Sequence, residues 1–370
     1  MNPLFWKDRN VLITGHTGFK GSWLSLWLQK LGARVTGYSL PPPSHPSLYE
    51  VARVPESMRS VMGDVRDLDH LISVVSDHRP EIIIHMAAQA LVRRSYQDPV
   101  STYATNIMGT VNILEAARRV GCARVMLVVT SDKCYENREW LWGYREDDPM
   151  GGKDPYSSSK GCAELVTSAY RRSFFYRGGQ SPEGMAVATA RAGNVIGGGD
   201  WAEDRIVPDV MNALLEGRPV VVRRPDAVRP WQYVLEPLHG YLRLAEYLWE
   251  RGPECDGGWN FGPHDSEALP VRRLVGTLTD LWGDGAGWTT DGPAGPPESH
   301  YLRLDCSRAR NLLNWSTKTD LPTALGLIVS WYRSYQRGAE MRGVTEGEIA
   351  GFEEALQEEG TTTASCPGFS

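Results

Sequence analysis

The chain contains no apolar run near the roughly 20 residues that a membrane-spanning helix needs, so it is not expected to cross a bilayer. Residues 1–10 lack the basic, apolar and cleavage-site order of a secretory signal, and the expected address is the cytoplasm. The six cysteines, at positions 122, 134, 162, 255, 306 and 366, form no CxxC pair and no cluster with histidine at metal-ligand spacing. No structural metal is expected, and the thiols read as reduced and mostly buried. Positive charge is in deficit, with 39 Lys and Arg against 45 Asp and Glu and a net charge of -6, which argues against broad electrostatic capture of nucleic acid. A local patch at Arg223, Arg224 and Arg229 could still hold a small phosphorylated ligand. The sequence has no internal repeat.

What is present is an ordinary globular composition, 41% hydrophobic and 23% charged. At 370 residues the chain is long for one core, which predicts two lobes with a cleft between them. Residues 11–14 read as a buried strand, 15–21 as a tight glycine turn and 22–31 as a helix ending at Gly32. Apolar runs at 34–37, 81–86, 124–130 and 185–190 read as further strands, mostly separated by helix-length segments such as 101–120 and 156–176. Such alternation predicts an α/β fold, a doubly wound parallel sheet with helices on both faces and ligands outside the carboxyl ends of its strands.

After about Asn194 the texture changes to Gly197-Gly198-Gly199, many prolines and short segments. This predicts a first domain over 1–193 and a smaller mixed lobe over 194–337, which can interleave with the first. In that lobe 231–234 and 258–261 read as strands, 236–250 and 321–335 as helices, and 283–297 as a loop. Residues 338–370 read as a C-terminal tail that starts as an acidic helix and ends frayed.

Gly15, Gly18 and Gly21, in the segment GHTGFKG, follow a strand and open a helix. Glycines there let a backbone approach a pyrophosphate, whose charge is favoured at a helix N-terminus. Thr17, Phe19 and Lys20 complete this predicted dinucleotide loop. The second strand ends in Tyr38-Ser39-Leu40, with neither the acid that selects NAD nor an Arg for a 2′-phosphate, so these residues leave NAD and NADP open. Asp64, with Val65 beside it, follows the third strand and is placed to meet the adenine rim; a turn or N-cap aspartate is the alternative.

Tyr156 and Lys160 stand at i and i+4, one above the other on a helical face. A lysine ammonium near the phenol favours phenolate, which lets Tyr156 take the proton of a substrate hydroxyl while hydride leaves for nicotinamide. Ser131, in Thr130-Ser131-Asp132-Lys133, offers a further hydroxyl able to bond the same oxygen.

With these motifs in place, the sequence resembles the extended short-chain dehydrogenase/reductase family, in particular its nucleotide-sugar 4,6-dehydratases, and within them the branch acting on CDP-glucose. The likeness covers nearly all of residues 5–335 and rests on GHTGFKGSW (15–23), HMAAQALVRRSY (85–96), TSDKCYEN (130–137), EDDPMGGKDPYSSSK (146–160), RAGNVIGGGDW (191–201) and RPWQYVLEP (229–237). It implies a Rossmann-type fold, bound NAD, and a lyase that oxidises C4 of the sugar, eliminates water across C5 and C6, and returns hydride to C6.

Residue by residue, the resemblance implies an oxidation triad of Ser131, Tyr156 and Lys160, with Asp132 protonating the departing 6-hydroxyl. Lys133 stands where dTDP-glucose dehydratases carry a glutamate base, as lysine does in the CDP-glucose branch. It either removes the C5 proton or stays charged and stabilises the enolate. Ala87, Ala88 and Gln89 are expected on the nicotinamide ribose and pyrophosphate, and Asn106 in a mainly structural role. Arg191, Asn194, Arg229, Trp231, Glu298 and Tyr301 are expected near the nucleotide sugar. The same family implies a homodimer or homotetramer, with helices around 101–120 and 154–176 pairing with their copies. A dehydratase or epimerase of another nucleotide sugar, and a non-catalytic nucleotide-binding scaffold, are the alternatives.

Overall fold

Short strands rich in Val, Ile, Leu and Ala, buried on both faces, need helices above and below them. A computed structural model, describing residues 1–175, 184–264, 267–290 and 302–362, has this arrangement. The strands are β1 (Asn10–Thr14), β2 (Arg34–Ser39), β3 (Arg59–Met62), β4 (Ile82–His85), β5 (Val125–Val129), β6 (Ala186–Ala192), β7 (Asn194–Ile196), β8 (Val220–Val222), β9 (Val228–Tyr233), β10 (Gly257–Phe261), β11 (Ala268–Pro270) and β12 (Trp288–Thr290). Among the described residues, seven of them pair in the order β10-β6-β5-β4-β1-β2-β3, every pairing parallel. The order reverses direction between β1 and β4, which opens a crevice at their carboxyl ends.

The second lobe is built from two small sheets, β11-β9-β7 and β12-β8. The chain does not stay there. The Leu235–Arg251 helix packs back against β5 and β6, and β10 extends the main sheet alongside β6. Residues 258–261, expected in the smaller lobe, therefore belong to the large sheet. Three helices of this lobe went unforeseen, Ile206–Leu215, Val271–Trp282 and Ser307–Leu313, and β12 lies inside the stretch expected to be loop. The Ile206–Leu215 helix buries Val207, Pro208, Val210, Met211, Ala213 and Leu214, the spacing of a one-sided helix.

The helix after the glycine turn starts earlier than expected, at Phe19, and runs to Lys30. Gly21 lies in its first turn, where a Cβ would stand 2.1 Å from the Gly15 carbonyl oxygen. Ser22 closes this contact by donating from Oγ to the His16 carbonyl at 3.0 Å. The segment expected to be helical from 101 begins at Pro99, capped by Asp98, and contains a π turn at Ala104–Met108 before continuing to Val120.

Residues 338–370, read as a tail, include the helix Met341–Thr362, whose Ile349 and Phe352 enter the core. Glu353 on it accepts from the Trp27 indole at 2.8 Å and pairs with Lys30 at 2.6 Å. No helix among the described residues is long and apolar enough to cross a membrane.

A methyl group at Gly21 must push the helix off the Gly15 carbonyl. Gly21→Ala should cost about 1–3 kcal/mol in urea unfolding, the range for forcing atoms into a packed site, and should weaken dinucleotide binding as well. An unchanged urea midpoint would show that the contact is looser than described.

Candidate active site

The crevice is a cavity of about 770 Å³. One wall is the glycine loop. Gly15 has φ +80, a conformation suited to glycine, and a Cβ on it would stand 2.8 Å from the Ala87 backbone nitrogen. Gly18 precedes the Phe19–Lys30 helix with no side-chain cap, leaving the helix N–H groups to face an anion. Thr17 Oγ1 donates to the Leu40 carbonyl at 2.9 Å and tethers the loop to the end of β2. These features fit a dinucleotide pyrophosphate. Gly15, Thr17, Gly18, Phe19, Lys20 and Gly21 all line the cavity, as do Asp64, Val65, Ala87, Ala88 and Gln89.

His16 turns away, bonding Ser60 Oγ at 2.7 Å. Asp64 is paired with Arg66 at 2.5 Å, and that hydrogen bond holds its carboxyl below the usual range. Asn106 sits in the π turn, accepting from the Gln89 N–H at 2.8 Å and donating to Ser159 Oγ at 2.8 Å. It thereby ties the loop after β4 to the Pro155–Tyr170 helix, a use typical of π turns near functional sites.

The floor carries Ser131, Asp132, Lys133, Tyr156 and Lys160. Ser131 follows β5 and caps a single 3₁₀ turn, Asp132–Cys134. Its Oγ donates to Asp132 Oδ1 at 2.9 Å and accepts from the Lys133 N–H at 3.2 Å. Tyr156 is the second residue of a helix capped by Asp154, and Lys160 lies one turn on, its Nζ donating to the Val129 carbonyl at 3.3 Å. Lys133 Nζ stands 6.0 Å from the Tyr156 ring centroid.

Burial governs the charges here. It raises Asp132 above the ordinary aspartate value despite Lys133, so this carboxyl is suited to carrying a proton. It pushes Lys160 down to about 8, with Glu164 opposing. Burial also pushes the Tyr156 phenol up to about 12, against a hydrogen bond from Ser131 and the positive charge of Arg205. The expectation that Lys160 lowers the phenol is thus corrected for the protein alone, because desolvation outweighs the cations around it.

Arg191 does not line the cavity. Along β6 alternate side chains face opposite ways, and Arg191 points with Thr189 toward Glu164. The guanidinium donates to both Glu164 oxygens at 2.9 and 2.8 Å, to the Tyr135 hydroxyl at 2.7 Å and to the Glu146 carbonyl at 2.9 Å. Its expected contact with a nucleotide sugar gives way to this buried ion pair. Asn194, Arg229 and Trp231 do line the cavity; Glu298 and Tyr301 lie outside the described residues.

Two further groups, Tyr241 and Arg205, escaped the sequence. Lys20 donates to the Tyr241 hydroxyl at 3.2 Å, and burial, Lys160 and Arg205 push its ammonium down to about 7. Tyr241 comes from 221 residues away, so no local signal marks it. Arg205 lines the same cavity, braced by Asp200 at 3.2 Å. No group of three or more His, Cys, Asp or Glu among the described residues could hold a metal ion.

The family description of GDP-mannose 4,6 dehydratase matches residues 12–247. The chain belongs to this family. It is 51% identical to a CDP-glucose 4,6-dehydratase of Salmonella typhimurium over 348 residues, 94% of this chain and 97% of that one. A dTDP-glucose 4,6-dehydratase of Streptomyces antibioticus is 28% identical, covering 88% of this chain and 92% of its own. Among solved structures, a Bacillus anthracis dTDP-glucose 4,6-dehydratase in complex with NAD superposes with a TM-score of 0.73 at 20% identity, covering 90% of this chain and 99% of its own. A Thermotoga maritima UDP-glucose 4-epimerase with UDP-glucose gives a TM-score of 0.76 at 22% identity over 88% of this chain and 99% of its own. At such identities these structures establish the shared fold.

Removing Arg191 strands a carboxylate in the interior. Arg191→Met should therefore lose about 3–5 kcal/mol of stability, the usual cost of breaking a buried pair from one side. Combining it with Glu164→Gln should recover part of that loss. Additive losses in a urea-denaturation cycle would contradict the pairing.

Proposed function

We propose that the protein is a lyase that converts CDP-D-glucose to CDP-4-dehydro-6-deoxy-D-glucose and water. The observation that carries this reading is Asp132, a buried acid beside an oxidation triad of Ser131, Tyr156 and Lys160. An epimerase of this fold oxidises and reduces one carbon and has no use for such an acid. Gly15, Gly18 and Gly21 would hold NAD, whose chemistry there would be to accept a hydride from C4 and give it back at C6.

The chain's own residues do the proton chemistry. Tyr156 takes the proton of the 4-hydroxyl, with Ser131 beside it, and Lys160 orients the cofactor ribose. Asp132 protonates the 6-hydroxyl as it leaves. Lys133 removes the C5 proton or stabilises the enolate that its loss creates. Arg229 and Arg224 on the cavity wall fit the diphosphate of the substrate, and Asn194, Trp231, Glu298 and Tyr301 are proposed around the nucleotide.

Residues 1–193 form the cofactor lobe with the catalytic residues, and 194–337 mainly the nucleotide-sugar lobe. A homodimer or homotetramer is proposed through the helices at 99–120 and 155–170, which expose Val100, Tyr103, Met108 and Leu165. The free thiols of Cys122, Cys134, Cys162, Cys255 and Cys306 support a cytoplasmic enzyme, whose product would feed deoxysugar synthesis.

Purified protein should release NAD(H), not NADP(H), when its cofactor is extracted and chromatographed. Given CDP-, dTDP- and UDP-glucose, it should favour the CDP sugar by roughly 10²-fold or more in kcat/KM, since polar groups matched to cytosine go unpaired with the other bases. Deuterium at C4 of CDP-glucose should reappear at C6 while solvent hydrogen enters C5, read by mass analysis of the product. Label retained at C4, or equal rates on all three sugars, would overturn the assignment.

A further inference from the structure

Two carboxylates, Asp204 and Asp209, line the second-lobe wall of the cavity, and the fold uses them unequally. Asp204 Oδ1 accepts from Arg93 of the first lobe at 3.1 Å and from both terminal nitrogens of Arg223 at 3.2 Å. Asp209, in the first turn of the Ile206–Leu215 helix, has one ion contact, its Oδ2 standing 3.5 Å from Arg223 Nη2. Among the described residues no hydrogen bond is donated to its carboxylate. The helix buries Val207, Pro208, Val210 and Met211, whereas the Asp209 side chain is 39% exposed and faces the cavity.

The wall has an order. A Cβ on Gly193 would stand 3.0 Å from Asp132 Oδ2 and 3.8 Å from Pro230 Cγ, so Pro230 lies against the catalytic floor. Arg229, its neighbour in β9, borders the reacting hexose and fits the diphosphate attached to it. Arg223 and Asp209 lie further along, where the chain leaves β8, and the Arg93–Asp204 pair bridges the two lobes there. In a nucleotide sugar the base lies beyond the diphosphate. With the hexose over the floor, the base meets Arg223 and Asp209.

We propose that Asp209, with Arg223 beside it, reads the cytosine base, an assignment that rests on the CDP-glucose reading above. Cytosine presents an amino donor at N4 next to an acceptor at N3, whereas uracil and thymine present a carbonyl at C4 next to an N3–H donor. The Asp209 carboxylate accepts from N4–H and the Arg223 guanidinium donates to N3, so donor meets acceptor at both positions. With uracil or thymine both contacts reverse. The carboxylate then faces a carbonyl oxygen and the guanidinium faces an N–H. Discrimination comes from this repulsion as much as from the hydrogen bonds gained with cytosine. Asp204 is a positioning residue, holding Arg223 at the distance that the pair requires.

The test is calorimetric titration of NAD-loaded protein with three diphosphates: CDP, UDP and the 2-pyrimidinone riboside diphosphate, which is CDP without its amino group. Wild-type protein should bind CDP roughly 10- to 100-fold more tightly than either of the others. Asp209→Ala should bind CDP and the pyrimidinone diphosphate alike, because nothing is left to accept from the amino group. Asp209→Asn, whose amide can donate to a carbonyl, should bring UDP to within roughly tenfold of CDP. Turnover of CDP-glucose by both variants should suffer in KM more than in kcat, since the base is remote from the reacting carbons. If both variants weaken all three diphosphates by one factor, or keep the wild-type preference, Asp209 serves the helix N-terminus alone and the assignment falls. Wild-type protein that binds CDP no more tightly than UDP would instead overturn the CDP-glucose reading itself.

Discussion

The catalytic floor depends on one buried ion pair. Burial alone would raise the Glu164 carboxyl, but Arg191 and the hydroxyls of Thr130 and Thr189 outweigh it and keep it an anion. Such a pair repays its desolvation only when its remaining hydrogen bonds are satisfied, and here they are. Thr130 is the residue before Ser131, so the carboxylate fixes where β5 ends and the acid turn begins. The same carboxylate opposes the desolvation of Lys160 one turn away on its helix. Position and charge in the active site are set from below.

Much of this was legible locally. A glycine loop between strand and helix, a tyrosine and lysine one turn apart, and a serine and acid at a strand end are short-range patterns whose spacing determines their geometry. What could not be read was direction and distance. Arg191 sits in a segment that resembles a substrate site, yet which face of β6 it occupies follows from a strand parity that only the neighbours of β6 decide. Lys20 reads as one residue of a glycine loop until Tyr241 arrives beneath it. The Val271–Trp282 helix carries a helical signal of its own, with Val271, Leu274, Val275 and Leu278 on its buried face, but the prolines and glycines that flank it interrupt the pattern.

The placement of β10 has the same origin. Its five residues alternate too briefly to say which sheet they join, and the pairing with β6 depends on the Leu235–Arg251 helix first crossing back over the large sheet. The result is a shared wall. β6 leads through Gly193 into β7, and a Cβ on Gly193 would stand 3.0 Å from Asp132 Oδ2. The strand that leaves the first lobe for the second thus passes against the acid.

The clasp between the two ends of the chain bears on how the protein is made. The Trp27 indole and the Lys30 ammonium find Glu353 only across 326 and 323 residues of sequence. During synthesis the helix behind the glycine loop must wait for this partner until residue 353 has left the ribosome. The helix behind the dinucleotide cradle therefore gains this brace only once Glu353 has been made, and a chain that stops short of Glu353 lacks it.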